Sequence, residues 1–259
     1  MDPVTQVIIP AAGAGRRMAP LTDFVPKVFL PVVDAPLVVH ALREAQAAGM
    51  RRACVVVAPG MEHLPAWRTC VPDLEVALVV QEQPRGLADA LLLAQGWLRP
   101  GPVAALNPDN LHTTPGGALA TVVRHRDPER ATVALVPVTE ANAPRLSASG
   151  RVELVADGAH RFRITRLLAK ERGARLLAGR DRYKMTGRYV LPEGFLAEFA
   201  RDAGGGEHDD TPTLMRWAQE GRLAGVATPG DLFDCGNPDG YRAAWRYFLA
   251  AAEGASPRG

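Results

Sequence analysis

The chain has 259 residues, 47% of them hydrophobic, with 30 basic and 28 acidic side chains for a formal charge of +2. That length suits one large α/β domain rather than several small ones, and so small a net charge argues against nucleic acid or an anionic membrane surface as a partner. Cys54, Cys70 and Cys235 are odd in number and far apart, which fits reduced thiols in a cytoplasmic protein rather than a disulfide framework.

Met1 and Asp2 lead almost directly to Val7-Ile8-Ile9 with no basic leader and no small-residue cleavage site, so a buried strand and a cytoplasmic location are predicted. Strands are predicted at Gln6–Pro10, Ala53–Ala58, Glu75–Val80, Pro102–Leu106 and Ala131–Val136, with helices at Pro36–Ala48, Gly86–Trp97 and Gly116–Arg126. This alternation is that of parallel strands joined by crossover helices. Near-continuous apolar runs such as Cys54-Val55-Val56-Val57 imply burial on both faces of the sheet. From Val138 the pattern turns mixed, with strands at Arg151–Val155, Arg163–Leu168 and Thr186–Leu191 and helices at Pro192–Ala200, Thr211–Gln219 and Asp239–Ala251. Gly204-Gly205-Gly206 marks a joint, and 1–253 reads as one domain followed by a frayed tail at 254–259. No stretch approaches the ~20 apolar residues that span a bilayer.

The first predicted strand empties into Ala11-Ala12-Gly13-Ala14-Gly15-Arg16-Arg17-Met18. Glycines let backbone N–H groups approach phosphate oxygens, and a guanidinium can offset the charge that develops in phosphoryl transfer. A dinucleotide fingerprint would need a third glycine where Met18 stands, and a Walker A loop would need Gly-Lys-Ser/Thr after Gly15. Further on, Phe24-Val25-Pro26-Lys27-Val28-Phe29-Leu30-Pro31 frames one lysine between two prolines. Together the loop and the stiffened lysine could grip a triphosphate from two sides. The histidines lack metal-ligand spacing, and Ser147 and Ser149 have neither a histidine nearby nor a nucleophile elbow.

These segments resemble the sugar-nucleotide pyrophosphorylases, most closely the UTP–glucose-1-phosphate uridylyltransferases, with the glucose-1-phosphate thymidylyltransferases as near relatives. Residues 12–20 resemble A-G-x-G-T-R-M-x-P, and Pro26-Lys27 through Leu30-Pro31 resemble P-K-x-x-L-P. Gln81 precedes Gly86-Leu87-Ala88-Asp89-Ala90 as in Q-x-x-x-x-G-L-G/A-x-A, and Pro108-Asp109-Asn110 is similar to the family's metal-binding turn. Gly187-Arg188-Tyr189-Val190-Leu191 resembles G-R-Y-V-L, 206–212 resembles G-E-I-Q-L-T-D, and Phe233-Asp234-Cys235-Gly236-Asn237 resembles Y-D-C-G-N.

The resemblance implies an α/β, Rossmann-like glycosyltransferase-A-type three-layer fold with a central mixed, mostly parallel sheet. It implies a nucleotide-binding half over 1–136 and a sugar-phosphate-binding half over 137–253. The implied reaction joins a nucleoside triphosphate, UTP or dTTP, to a sugar 1-phosphate with Mg²⁺ as cofactor. In it Arg17 and Lys27 are catalytic. Ala12, Gly13, Gly15, Gln81 and Gly86 bind the nucleotide, and Lys170, Gly187 and Glu207 bind the sugar phosphate. Asp109 and Asp234 hold the metal. A purine-specific transferase and a non-catalytic sugar-nucleotide-binding subunit stay as alternatives, and the resemblance leaves a homo-oligomer open.

Such a reaction brings two polyanions together, so cations and hard oxygen ligands are the residue types it requires. The acceptor half departs from the family. Ala169-Lys170-Glu171 stands where E-K-P is expected, so the glutamate that accepts from sugar hydroxyls is absent, and Pro212 stands where an aspartate is expected. A missing acceptor in a polar pocket costs a few kcal/mol of recognition, so a modified or carbocyclic acceptor is as compatible with the sequence as glucose.

Overall fold

The computed structural model describes residues 2–63, 70–113, 117–168, 176–202 and 208–254. In chain order its elements begin with β1 (Gln6–Pro10), a short hairpin of β2 (Pro31–Val32) and β3 (Ala35–Pro36), α1 (Leu37–Ala47), β4 (Arg52–Val57) and β5 (Glu75–Val80). There follow α2 (Leu87–Leu93), β6 (Val103–Leu106), β7 (Asn110–His112), α3 (Gly117–His125) and β8 (Ala131–Pro137). The rest comprises β9 (Val152–Ala156), β10 (Arg161–Leu167), β11 (Tyr183–Leu191), α4 (Thr211–Gln219), β12 (Leu223–Ala227), β13 (Leu232–Asp234) and α5 (Pro238–Ala252).

One nine-stranded sheet runs in the order β5-β4-β1-β6-β11-β8-β12-β10-β9. All its strands point the same way except β10 and β11, so the sheet is mixed and mostly parallel. The β-branched runs dictate this: side chains alternate across a strand, and both faces are apolar. In β1, Val7 and Ile9 pack with Val38, Leu42 and Leu119 from α1 and α3, while Ile8 packs on the opposite face with Ala88, Leu91 and Trp217 from α2 and α4. The result is a helix–sheet–helix sandwich. Trp217 is fully buried against Phe195 and Phe199, with ring centroids 5.1 and 5.3 Å away.

The sheet is mixed and mostly parallel as expected, with β11 inserted between β6 and β8 antiparallel to both. Two sequence expectations need correction. The helix expected over Pro192–Ala200 forms only as a 3-10 segment, Leu196–Asp202, since Gly194 takes φ +86 and interrupts it. The helix expected over Gly86–Trp97 is α2 followed by a 3-10 turn at Ala94–Trp97, where Gly96 weakens α-helix continuation. Strand β12 and the pair β7–β13 have no counterpart in the sequence reading. Among the described residues, no helix is long and apolar enough to cross a membrane.

Candidate active site

The cationic turns are aimed by their apolar neighbours. After β1 the chain passes through 11–15 into a 3-10 turn, Arg16–Met18, pinned by Met18, which is buried with Leu30, Leu111, Phe233 and Cys235. Successive side chains of such a turn point about 120° apart, so the two arginines part: Arg16 lines one cleft and Arg17 another. Lys27 opens another 3-10 turn, Lys27–Phe29, held by buried Val28 and Leu30.

Asp109 lies in the turn between β6 and β7, at the end of a parallel strand, where α/β sheets bind ligands. Its Oδ2 accepts from Lys27 Nζ at 2.7 Å, and its Oδ1 accepts from Asn110 Nδ2 at 3.0 Å. Burial acts to raise the Asp109 pKa. The charge and hydrogen bond of Lys27, with Arg17 and Arg188 behind, outweigh it and hold the carboxyl below its ordinary value. Asp234, 125 positions on, arrives through strand pairing: β13 runs antiparallel to β7 with Asp234 opposite Asn110. Its Oδ1 accepts from Gly236 N at 3.0 Å.

These groups converge. A Cβ placed on Gly236 would stand 2.9 Å from Asp109 Oδ2, 3.0 Å from Asp234 Oδ1 and 3.1 Å from Arg17 Nη2. Two hard carboxylate oxygens facing one point are a donor set for a small divalent cation that keeps water and takes further oxygens from a ligand. Among the described residues no group of three or more His, Cys, Asp or Glu side chains forms a denser metal cluster.

Two cavities meet at this point, sharing Leu87, Asn107 and Asp109. The first, about 430 Å³, is lined by Ala12, Gly13, Gly15, Lys27, Gln81 and Gly86. A Cβ on Gly13 would meet nothing within 4 Å, so its backbone faces open space. Gln81 Nε2 donates to Asp89 Oδ2 at 2.7 Å and to Gly86 O at 3.2 Å, which fixes the amide. Gly86 also has a packing reason: with φ +109 it abuts the His208 backbone, whose carbonyl a Cβ would overlap.

The second cavity, about 280 Å³, is lined by Arg17, Gly187, Asp209, Asp210 and Asp234 among others. Gly187 lies against Asn107 so closely that a Cβ would sit 2.5 Å from the Asn107 side chain. Gly187→Ala is therefore expected to displace the Asn107–Asn110 turn and cut kcat/KM by about 10²-fold, because small misplacements of reacting groups are costly. Steady-state kinetics beside thermal unfolding checks this. Asp210 is pushed up to about 7, first by burial and then by the charge and hydrogen bond of Asp209, while Tyr189 opposes them. An acid whose pKa rises on folding contributes stability below its unfolded value, and that contribution is lost as pH climbs through the folded value. Stability should thus fall between about pH 4 and about 7 by an amount that Asp210→Asn removes, measured as denaturant midpoints across that range.

The structure brings together Ala12, Gly13, Gly15, Arg17, Lys27, Gln81, Gly86, Asp109, Gly187 and Asp234, while Lys170 and Glu207 lie outside the described residues. Sequence reasoning missed the support beneath Asp109. Arg188, fully buried, donates to Glu44 Oε1 at 3.0 Å and Oε2 at 2.5 Å, and to the carbonyls of Asn107 and Asn110 at 2.9 and 2.5 Å. It clamps both ends of the turn that carries the carboxylate. No local pattern announces a partner in α1. Asp209 and Asp210 were also missed as lining residues, although acidic residues in positions where the family motif has Gln and Leu were a visible signal.

The chain matches the family described as Nucleotidyl transferase over residues 6–250. It is 28% identical over 268 residues to a UTP–glucose-1-phosphate uridylyltransferase of Pseudomonas aeruginosa, spanning 92% of this chain and 93% of that enzyme. It is 36% identical over 156 residues to a glucose-1-phosphate thymidylyltransferase of Mycolicibacterium smegmatis, across 58% of this chain and 51% of the other. A crystal structure of UDP-glucose pyrophosphorylase complexed with UDP-glucose superposes with a TM-score of 0.80 at 23% identity, covering 96% of this chain and 99% of that one, and so shares the fold. With the match running from β1 into α5, the chain belongs to the nucleotidyl transferase family and is a nucleotidyltransferase.

Proposed function

We propose that this chain transfers a nucleotidyl group from a nucleoside triphosphate, UTP in the first instance and dTTP as the alternative, to a sugar 1-phosphate, releasing pyrophosphate. The observation that carries the reading is the meeting of Lys27, Arg17, Asp109 and Asp234 where two cavities join. The larger cavity suits the nucleotide, with the Gly13–Gly15 loop and Lys27 at its phosphates and Gln81 and Gly86 at its base. The smaller one suits the sugar phosphate.

A phosphate monoester is already anionic near neutral pH, so the acceptor oxygen needs no obligatory general base. It attacks the α-phosphorus in line, forming one P–O bond while the bond to the β-phosphate bridging oxygen breaks and pyrophosphate departs with that electron pair. Alignment and charge neutralisation supply most of the catalysis. Lys27 holds the polyphosphate, Arg17 stabilises charge at the point of transfer, and Asp109 stays ionised throughout the physiological range. The Asp109–Asp234 oxygen pair fits Mg²⁺, which when bound would offset phosphate charge from both substrates. In the free protein Lys27 pairs with Asp109 Oδ2 at 2.7 Å, and Arg17 adds a further positive charge beside that carboxylate.

Pyrophosphate release with each of four triphosphates against glucose 1-phosphate and alternative acceptors tests the reading. UTP or dTTP should give the highest kcat/KM, and no release with any pair would overturn it. Lys27→Ala should lower kcat by about 10²-fold while changing nucleotide affinity far less. Equal losses in the two would favour a binding subunit.

A further inference from the structure

The smaller cavity carries an acidic pair for which the transfer step has no use. Asp209 and Asp210 line it at the start of α4. Asp210 is buried and fixed: Tyr189 Oη donates to its Oδ2 at 2.9 Å, and its own backbone N donates to Asp209 Oδ1 at 2.9 Å. The cations on the same wall are directed away from the pair. Lys184 Nζ donates to the carbonyls of Ser149 at 2.6 Å and Met185 at 3.4 Å, and Arg17 reaches toward Asp109 and Asp234. Among the described residues, no Lys or Arg nitrogen lies within 4.0 Å of either carboxyl.

Two adjacent carboxyls at a partly desolvated wall repel one another, and the Asp210 pKa is raised first by burial and then by the charge of Asp209. A sugar hydroxyl can hydrogen-bond to such a pair but brings no charge. A protonated amine brings three donors and the missing positive charge, which a buried acidic group favours strongly. These two residues also stand where the resembled motif carries Gln and Leu, in the same half of the chain that lacks the glutamate of E-K-P.

We propose that the acceptor is an amino sugar 1-phosphate, or an amino cyclitol phosphate of the same size, whose ammonium group is held by Asp209 and Asp210. The proposal rests on the reading of the smaller cavity as the acceptor site. Asp209 and Asp210 are then specificity-determining residues that set which acceptor is transferred.

The test uses the full chain with Mg²⁺ and its preferred triphosphate. Glucose 1-phosphate is compared with its 2-, 3-, 4- and 6-amino-deoxy analogues and their N-acetyl derivatives. At pH 7 at least one free amine should exceed glucose 1-phosphate in kcat/KM by tenfold or more, and N-acetylation should remove the advantage. Asp209→Asn, at an exposed position that tolerates the change, should cut it below threefold, and Asp210→Asn should do the same. Glucose 1-phosphate matching or beating every amine, or an amine advantage that survives Asp209→Asn, would overturn the proposal. Thermal shifts with each sugar phosphate alone separate this from failure of the transfer reading. If no pair releases pyrophosphate, a larger shift with an amine than with glucose 1-phosphate, lost in Asp209→Asn, still upholds the acidic pair, and equal shifts refute it.

Discussion

Asp109→Asn is expected to lower kcat by about 10³-fold, roughly 4 kcal/mol of transition-state stabilisation, with the chain still folded. The neutral amide keeps the shape of the side chain but gives up the charge that faces Asp234 and Arg17 around Gly236. It also gives up the charge partner of Lys27, 2.7 Å away. Because Lys27 and Asp109 act as a unit, the double variant Asp109→Asn/Lys27→Ala should lose much less than the product of the two single losses. Pyrophosphate-release kinetics on the three variants checks both points. A loss below tenfold for Asp109→Asn would remove that carboxylate from the reacting centre.

Arg188→Ala is expected to cost about 3–5 kcal/mol of stability, the range for breaking a buried ion pair from one side. In a chain of this length that corresponds to a fall in Tm of about 10 °C. Glu44 would be left without its guanidinium fork, and the carbonyls of Asn107 and Asn110 would lose their donor together. Glu44 Oε1 also accepts from Leu119 N at 3.2 Å, so the damage reaches α3. Arg188→Lys restores a charge but not the planar fork, and should recover only part of the stability. Thermal and denaturant unfolding of both variants checks the ranking. Near-equal stability of Ala and Arg at this position would show that the clamp contributes little.

Elements written in local residue pattern were legible. Gln6–Pro10, Glu75–Val80 and Thr211–Gln219 form with the bounds their periodicity predicts. Strand β12 was not, because Leu223-Ala224-Gly225-Val226-Ala227 offers small residues with no alternation, and its place beside β8 is decided by packing. Nor was the insertion of β11, a pairing between distant segments that no short window contains. The site divides the same way. Motifs single out Lys27, Asp109 and Asp234, but what brings the two aspartates together is a three-residue strand pair, β7 with β13, far too short to declare itself. The Arg188–Glu44 pair spans 144 positions and is invisible to any local reading.

The proposed transfer depends on one meeting point of cations and carboxylates, and anomalous scattering from crystals grown with UTP and Mn²⁺ in place of Mg²⁺ tests it most directly. The expected map places the metal on oxygens of Asp109 and Asp234, with the triphosphate in the larger cavity between the Gly13–Gly15 loop and Lys27. A metal bound away from both carboxylates, or a triphosphate on another surface, would contradict it.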